Sequence, residues 1–336
     1  MDKQRLIDKK KLYTFILGVL VVWVHSVNND LKIQELVSAQ MGQFAVPGFF
    51  IVSGFMFFRN FNNIKIYLKK IKSRIHTLLI PFFMWNTIYY IIFCIIKAGV
   101  TFSLNDFIQT LVFYKYNPVF WFMYQLIVLS ILSIFIYFIY KNKILGYIYL
   151  LLLLFFISQN INIYVVNVDA LFYFSLGAFL SKYKKEQVYQ NKNPYLLITS
   201  FIIFFISLVL LLYVSKIPYL LFYEYNITLL TTVLIRSAMP ILLWTTIDYL
   251  ELSYQNDCYN YLFFMYCIHY LIVRFVLLIF SIIRIYFLRD NEDVIEILSN
   301  TIFLMMPLIC MFISYYFAKF LKKIVPNYYN LLTGGR

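Results

Sequence analysis

Polar and apolar positions in this 336-residue chain separate into long apolar blocks punctuated by short clusters of lysine and arginine. A helix that spans a bilayer needs about 20 mostly apolar residues. Ten blocks approach or exceed that length, at roughly 12–28, 43–58, 77–97, 119–140, 144–159, 164–181, 195–214, 226–247, 259–287 and 299–321. The pattern predicts an all-α, polytopic transmembrane bundle of about ten spanning helices. The second, fifth and sixth blocks are the short ones. There is no internal repeat and no linker long enough to separate domains, so residues 1–336 are read as one integral membrane domain. The first block follows a basic segment and resembles a signal peptide in outline. No small-residue cleavage site follows it, so it is expected to be a retained helix.

The cations between blocks orient the bundle. Lys3, Arg5, Lys9, Lys10 and Lys11, the stretch from Arg59 to Arg74, Lys141 and Lys143, the cluster from Lys182 to Lys192, and Lys319, Lys322, Lys323 and Arg336 make a set of 21. The alternate loops hold only six: Lys32, Lys97, Lys115, Lys216, Arg284 and Arg289. By the positive-inside rule the first set is cytoplasmic, and both termini with it. Loop 248–258 falls on that side although it carries Asp248, Glu251 and Asp257 and no cation; acidic residues weigh little in the rule.

Composition agrees. Hydrophobic residues make up 62% of the chain and charged residues 13%, against about half and about a quarter in soluble domains. The surplus apolar surface needs lipid as its solvent, and the chain is expected in the cell membrane as a multi-pass protein. The net charge of +14 does not indicate nucleic acid, because the cations sit between apolar runs and form no soluble basic face. Cys94, Cys258, Cys267 and Cys310 are scattered without a CxxC pair, which indicates neither a metal site nor a disulfide framework.

Ionisable groups at membrane depth cost several kcal/mol and are functional candidates. His25 lies near the outer end of the first helix, Arg236 within the eighth, and His269 and Arg274 within the ninth. Each has a plainer reading. A histidine can simply hydrogen-bond a neighbouring helix. Arg236 can pair with a carboxylate such as Asp169 or Asp248, Arg274 can orient its helix, and His76 is an interfacial residue beside a basic cluster. The basic stretch 59–74 reads as a cytoplasmic loop touching anionic lipid.

Six short motifs in order resemble the acyltransferase 3 family of integral membrane acyltransferases. They are GVLVVWVHS, ending at His25 and Ser26; VPGFFIVSGFMFFRN, with Ser53, Gly54 and Phe55; RIHTLLIPFFMWN, from Arg74 to Asn86; PVFWFMYQL, with Trp121; FYFSLGAFL; and YCIH, from Tyr266 to His269. The chain departs from the family's pattern at Thr14, where members often carry a cation, and at Thr77, where a second arginine often follows the position of Arg74. Lys11 lies nearly one turn from the first of these.

The resemblance implies acyl transfer to a hydroxyl, usually on a sugar, with acyl-CoA as donor substrate and no permanently bound cofactor. The acceptor would be a polysaccharide or lipid-linked sugar, and the acyl group most simply acetyl. His25 takes the family's catalytic position, either as general base or as covalent acyl acceptor, with His269 as a second candidate. Ser53, backbone amides near Gly54, or Arg236 would stabilise the oxyanion. Arg74, Lys72 and Lys70, with Lys69, would hold the CoA phosphates. His25 lies 14 residues beyond Lys11, about 21 Å along a helix and comparable to a pantetheine arm. Trp121 would serve as an interfacial anchor or stack on a sugar. A transporter or flippase for a glycan or lipid-linked sugar is the alternative, although broken helices and repeated halves are missing; a non-catalytic sensor or assembly subunit is a third. Membrane lipid is the remaining expected partner, and oligomeric state is left open.

The charge pattern makes a direct prediction. Reporter fusions at the C-terminus and near residue 110 are expected to report opposite compartments; the same compartment for both would overturn the span register.

Overall fold

The computed structural model describes residues 3–27, 34, 42–96, 102–161, 163–214, 221–249, 257–288 and 291–335. Lys32, Lys97, Lys216, Glu251, Arg289 and Arg336, which enter the orientation argument, lie outside these. Among the described residues the fold is helical throughout, without strands. The helices are α1 (Lys3–His25), α2 (Ala45–Phe58), α3 (Ile64–Ile96), α4 (Leu104–Phe113), α5 (Trp121–Ile139), α6 (Lys143–Ser158), α7 (Val168–Tyr183), α8 (Lys185–Tyr189), α9 (Pro194–Val214), α10 (Leu221–Thr246), α11 (Leu262–Ile283), α12 (Glu292–Ile324) and α13 (Pro326–Thr333).

Each of the ten expected segments holds a helix, but among the described residues six helices are long and apolar enough to cross a membrane: Ile64–Ile96, Pro118–Ile139, Pro194–Tyr213, Asn226–Thr246, Asp257–Tyr286 and Glu292–Ile324. α6 and α7 have 16 residues each and α2 has 14. At 1.5 Å per residue these fall short of a hydrocarbon core of about 30 Å. The basic stretch 59–74, expected as a loop, is helical from Ile64 onward and continuous with the third span through a π-helical turn at Ile75–Leu79. Large apolar side chains stand on the outside, among them Phe205 at 55% exposed, Phe275 at 63% and Phe312 at 63%. Such a surface suits lipid and not water.

The chain forms two compact units. The first comprises Met1–Thr14, Phe44–Ile71 and Gln125–Gln255; the second comprises Phe15–Gln43, Lys72–Tyr124 and Asn256–Arg336.

In the first unit α2 and α7 approach until backbone meets backbone. A Cβ on Gly54 would lie 2.0 Å from the Phe174 carbonyl oxygen, and one on Gly177 would lie 2.0 Å from that of Ile51. Both glycines belong to family-like motifs, and here they are the contact itself, as in the small-residue packing of membrane helices. Tyr140 donates its hydroxyl to the Ser175 carbonyl at 2.8 Å and so ties α5 to α7. Asn142 and Asn167 cap α6 and α7 with their side-chain oxygens. Antiparallel to the start of α1 runs the end of α10: the Tyr13 hydroxyl donates to the Pro240 carbonyl, and Lys9 forms an ion pair with Asp248 at 2.6 Å, with side chains 1% and 2% exposed. The Lys9 ammonium also stands 4.2 Å from the Trp244 ring centroid. Asp248 is therefore the partner of Lys9 and not of Arg236, because the antiparallel register brings the two ends together.

In the second unit the rest of α1 runs parallel to α11. Phe15 meets Tyr259, Gly18 faces Leu262 and Met265, and His25 meets His269 and Tyr270. Positions 15, 18, 22 and 25 share one face at helical spacing, and Val22 on that face is 1% exposed. α3 is parallel to α11 as well. Trp85 packs edge-on to Phe264, and one turn later the Tyr89 hydroxyl donates to the Cys267 carbonyl at 3.0 Å. α13 closes one end, where Leu332 accepts a hydrogen bond from the Trp85 indole.

Alanine at Gly54 or Gly177 must push α2 off α7. Either substitution is expected to cost about 1–3 kcal/mol, the usual range for overpacking. Thermal unfolding of the detergent-purified variants checks this, and an unchanged midpoint for both would contradict the backbone contact.

Candidate active site

His25 is the last residue of α1. The helix stops there because Ser26 turns back on it: its amide donates to the Trp23 carbonyl and its hydroxyl to the Val22 carbonyl. The imidazole is half-buried, against α11. Its ring centroid lies 5.5 Å from that of His269, with the planes tilted by 46°. It also meets the Tyr270 ring edge-on at 6.3 Å, and Arg274 lies over that same tyrosine at 5.0 Å.

His269 is 1% exposed. Its Nδ1 lies 2.7 Å from the Tyr266 carbonyl oxygen. A carbonyl can only accept, so this nitrogen carries the proton and a neutral ring has Nε2 as a bare acceptor. That Nε2 is buried and has no hydrogen-bond partner. The pair therefore combines a half-accessible imidazole with a second one held by its own helix.

The layers around the pair are aromatic. The Tyr266 hydroxyl donates to the Val119 carbonyl at 2.8 Å, and its ring stacks on Phe120 at 5.8 Å. Two polar side chains stand out from this packing. Asn86, one turn before Tyr89 and Tyr90 on α3, and Asn117, one turn before Phe120, are fully buried, and neither amide forms a hydrogen bond through either side-chain atom. An unpaired buried amide costs about 1–3 kcal/mol. These two are held in the unit that contains both histidines.

The remaining expected residues divide between the units. Arg74 and Lys72 belong to the same unit as the histidines; Ser53, Lys70 and Arg236 belong to the other. Ser53 is half-buried on α2. Gly54, in the interior of that helix, has its amide committed to helical hydrogen bonding, so it is not available as an oxyanion donor. Lys70 donates to the carbonyls of Phe57 and Arg59, the latter at 2.7 Å. It thus caps the end of α2, where a cation satisfies open carbonyls. Lys72 is exposed.

Residues 15–319 match Acyl_transf_3, described as an acyltransferase domain. The chain belongs to the acyltransferase 3 family. No curated protein and no solved structure matches it. The match takes in both histidines, the α2–α7 glycines and the whole of α3. It makes this helical membrane protein an acyltransferase.

Asn117→Leu in this acyltransferase removes an unpaired amide while filling its space. The variant is expected to be as stable as the parent or more stable, by about 1 kcal/mol or more, and to lose activity. A large drop in thermal stability would show that the amide is structurally satisfied.

Proposed function

We propose that this acyltransferase moves an acyl group, acetyl in the simplest case, from acyl-CoA to a hydroxyl of a cell-envelope or secreted polysaccharide, in the cell membrane. The observation that carries the reading is the apposition of His25 and His269 at the end of α1 in a chain of this family. A half-buried imidazole at that place can take the proton of a sugar hydroxyl as its oxygen attacks the thioester carbon. The tetrahedral intermediate then collapses, the C–S bond breaks, and the proton passes to the departing CoA thiolate. In the covalent variant His25 itself attacks, CoA leaves, and the sugar oxygen takes the acyl group from the ring nitrogen. His269 is a positioning residue in either course: its protonated Nδ1 is tied to Tyr266, and its Nε2 is left as an acceptor beside the reacting ring.

The axial spacing supports donor delivery from the basic end of α3. Tyr89 is level with Cys267, two residues before His269. Arg74 lies 15 residues earlier on the same helix, about 22 Å at 1.5 Å per residue. A pantetheine arm covers a comparable distance. Phosphates held at Arg74 and Lys72 would thus leave the thioester near the histidine pair, and the charge pattern puts those cations on the side where CoA is made.

His25→Ala is expected to abolish acylation of the polysaccharide while expression and membrane insertion stay near normal, because one polar group is deleted from a half-accessible position. His269→Ala is expected to give partial loss or lowered stability. The check is mass spectrometry of polysaccharide from cells expressing each variant at matched levels. Substantial acylation with His25→Ala would overturn the mechanism.

A further inference from the structure

A cavity of about 130 Å³ opens in the first unit, away from its α2–α7 contact. It is lined by Asn160, Asn167 and Asp169 around the start of α7, and by Thr232 and Arg236 on one face of α10. The lining is unusual for a lipid-solvated bundle. Asp169 and Arg236 carry opposite charges into one cavity, yet no ion pair joins them among the described residues. Arg236 Nε is buried and makes no hydrogen bond. The Tyr173 hydroxyl, one turn along α7 from Asp169, is on a residue only 2% exposed. An ion pair closed to contact would offset the cost of burying both charges. Here the two groups line one cavity without closing to contact.

We propose that this cavity is a binding subsite for a neutral sugar residue of the acceptor, with Asp169 and Arg236 as its principal contacts. The proposal rests on the saccharide-acyltransferase reading above and adds where the acceptor is gripped. Guanidinium and amide nitrogens donate, the carboxylate accepts, and a hydroxyl does both, which is the complement that vicinal sugar hydroxyls require. The two formal charges cancel, so neither an anion nor a cation is preferred. The volume holds roughly four waters at about 30 Å³ each, enough for the hydroxyl-bearing edge of one ring but not for a chain. Its position also suits an acceptor. Arg236 lies ten residues before Thr246, about 15 Å from the α10 end that pairs with Lys9. The cavity instead adjoins the end of α6 and the start of α7, whose connecting loop falls on the cation-poor side.

The test separates binding from chemistry. The His25→Ala protein, reconstituted in nanodiscs, is titrated with maltotetraose, cellotetraose and chitotetraose, and binding is followed by saturation-transfer NMR. Saturable binding of at least one tetrasaccharide is expected. Asp169→Asn, Arg236→Ala and Thr232→Val in that background are expected to weaken it, the first two by about tenfold or more, as loss of a charged hydrogen bond implies. In the His25 protein, Asp169→Asn is expected to raise the acceptor KM and to leave the acetyl-CoA KM unchanged. Binding of none of the three sugars, or unaltered binding in folded Asp169→Asn and Thr232→Val proteins, would overturn the subsite. Sugar binding that needs Asp169 in a parent protein without acetyl-CoA turnover would keep the subsite and remove the acyl-transfer reading.

Discussion

A polar group inside this bundle has no water to fall back on, so it must find a partner in the protein, meet a substrate, or weigh against the fold. Most of the buried polar groups that hold the helices together have done the first. The Lys9 ammonium meets Asp248 and the Trp244 face, and the Tyr13, Tyr89, Tyr140 and Tyr266 hydroxyls each reach a carbonyl on another element. Against that background the groups without partners carry information. Nε2 of His269 and the amides of Asn86 and Asn117 lie in one unit, and Nε of Arg236 in the other.

The family-like motifs do different physical jobs. The SGF segment and the SLGAF segment supply Gly54 and Gly177, which let α2 and α7 touch through their backbones. Their part is architectural, and the Gly54 amide is spent inside its helix. The histidine motifs work the other way. They put titratable rings where leucine would cost less, on parallel stretches of α1 and α11 whose register brings position 25 to position 269. Lys70, counted among donor contacts from its neighbourhood in sequence, is occupied in capping α2, whereas Lys72 and Arg74 stay with the unit that holds the histidines.

Much of this was legible in the chain. Apolar block length marked each of the six described helices that are long and apolar enough to cross a membrane, but also α2, α6 and α7, which are shorter; the rarity of ionisable groups at depth drew attention to His25, His269 and Arg236. The apposition of the two histidines was not legible, because it depends on which helices pack in parallel, and periodicity carries no such information. The Lys9–Asp248 pair was missed for the same reason: 239 residues separate the partners. Asn86 and Asn117 escaped because a scan for charge at membrane depth passes over amides, although a buried unpaired amide signals in the same way. The helical start of α3 was hidden by its lysines, which read as a loop until their continuity with the span is seen.

On the proposed function, thioester cleavage occurs at the His25–His269 pair and is completed by a saccharide hydroxyl. The most direct measurement is release of free CoA thiol by the purified protein in nanodiscs, with acetyl-CoA as donor and a polysaccharide fraction from the same cells as acceptor. Release is expected to depend on the saccharide in the parent protein and to fall to background in His25→Ala. Equal saccharide-dependent release by the two proteins would contradict it.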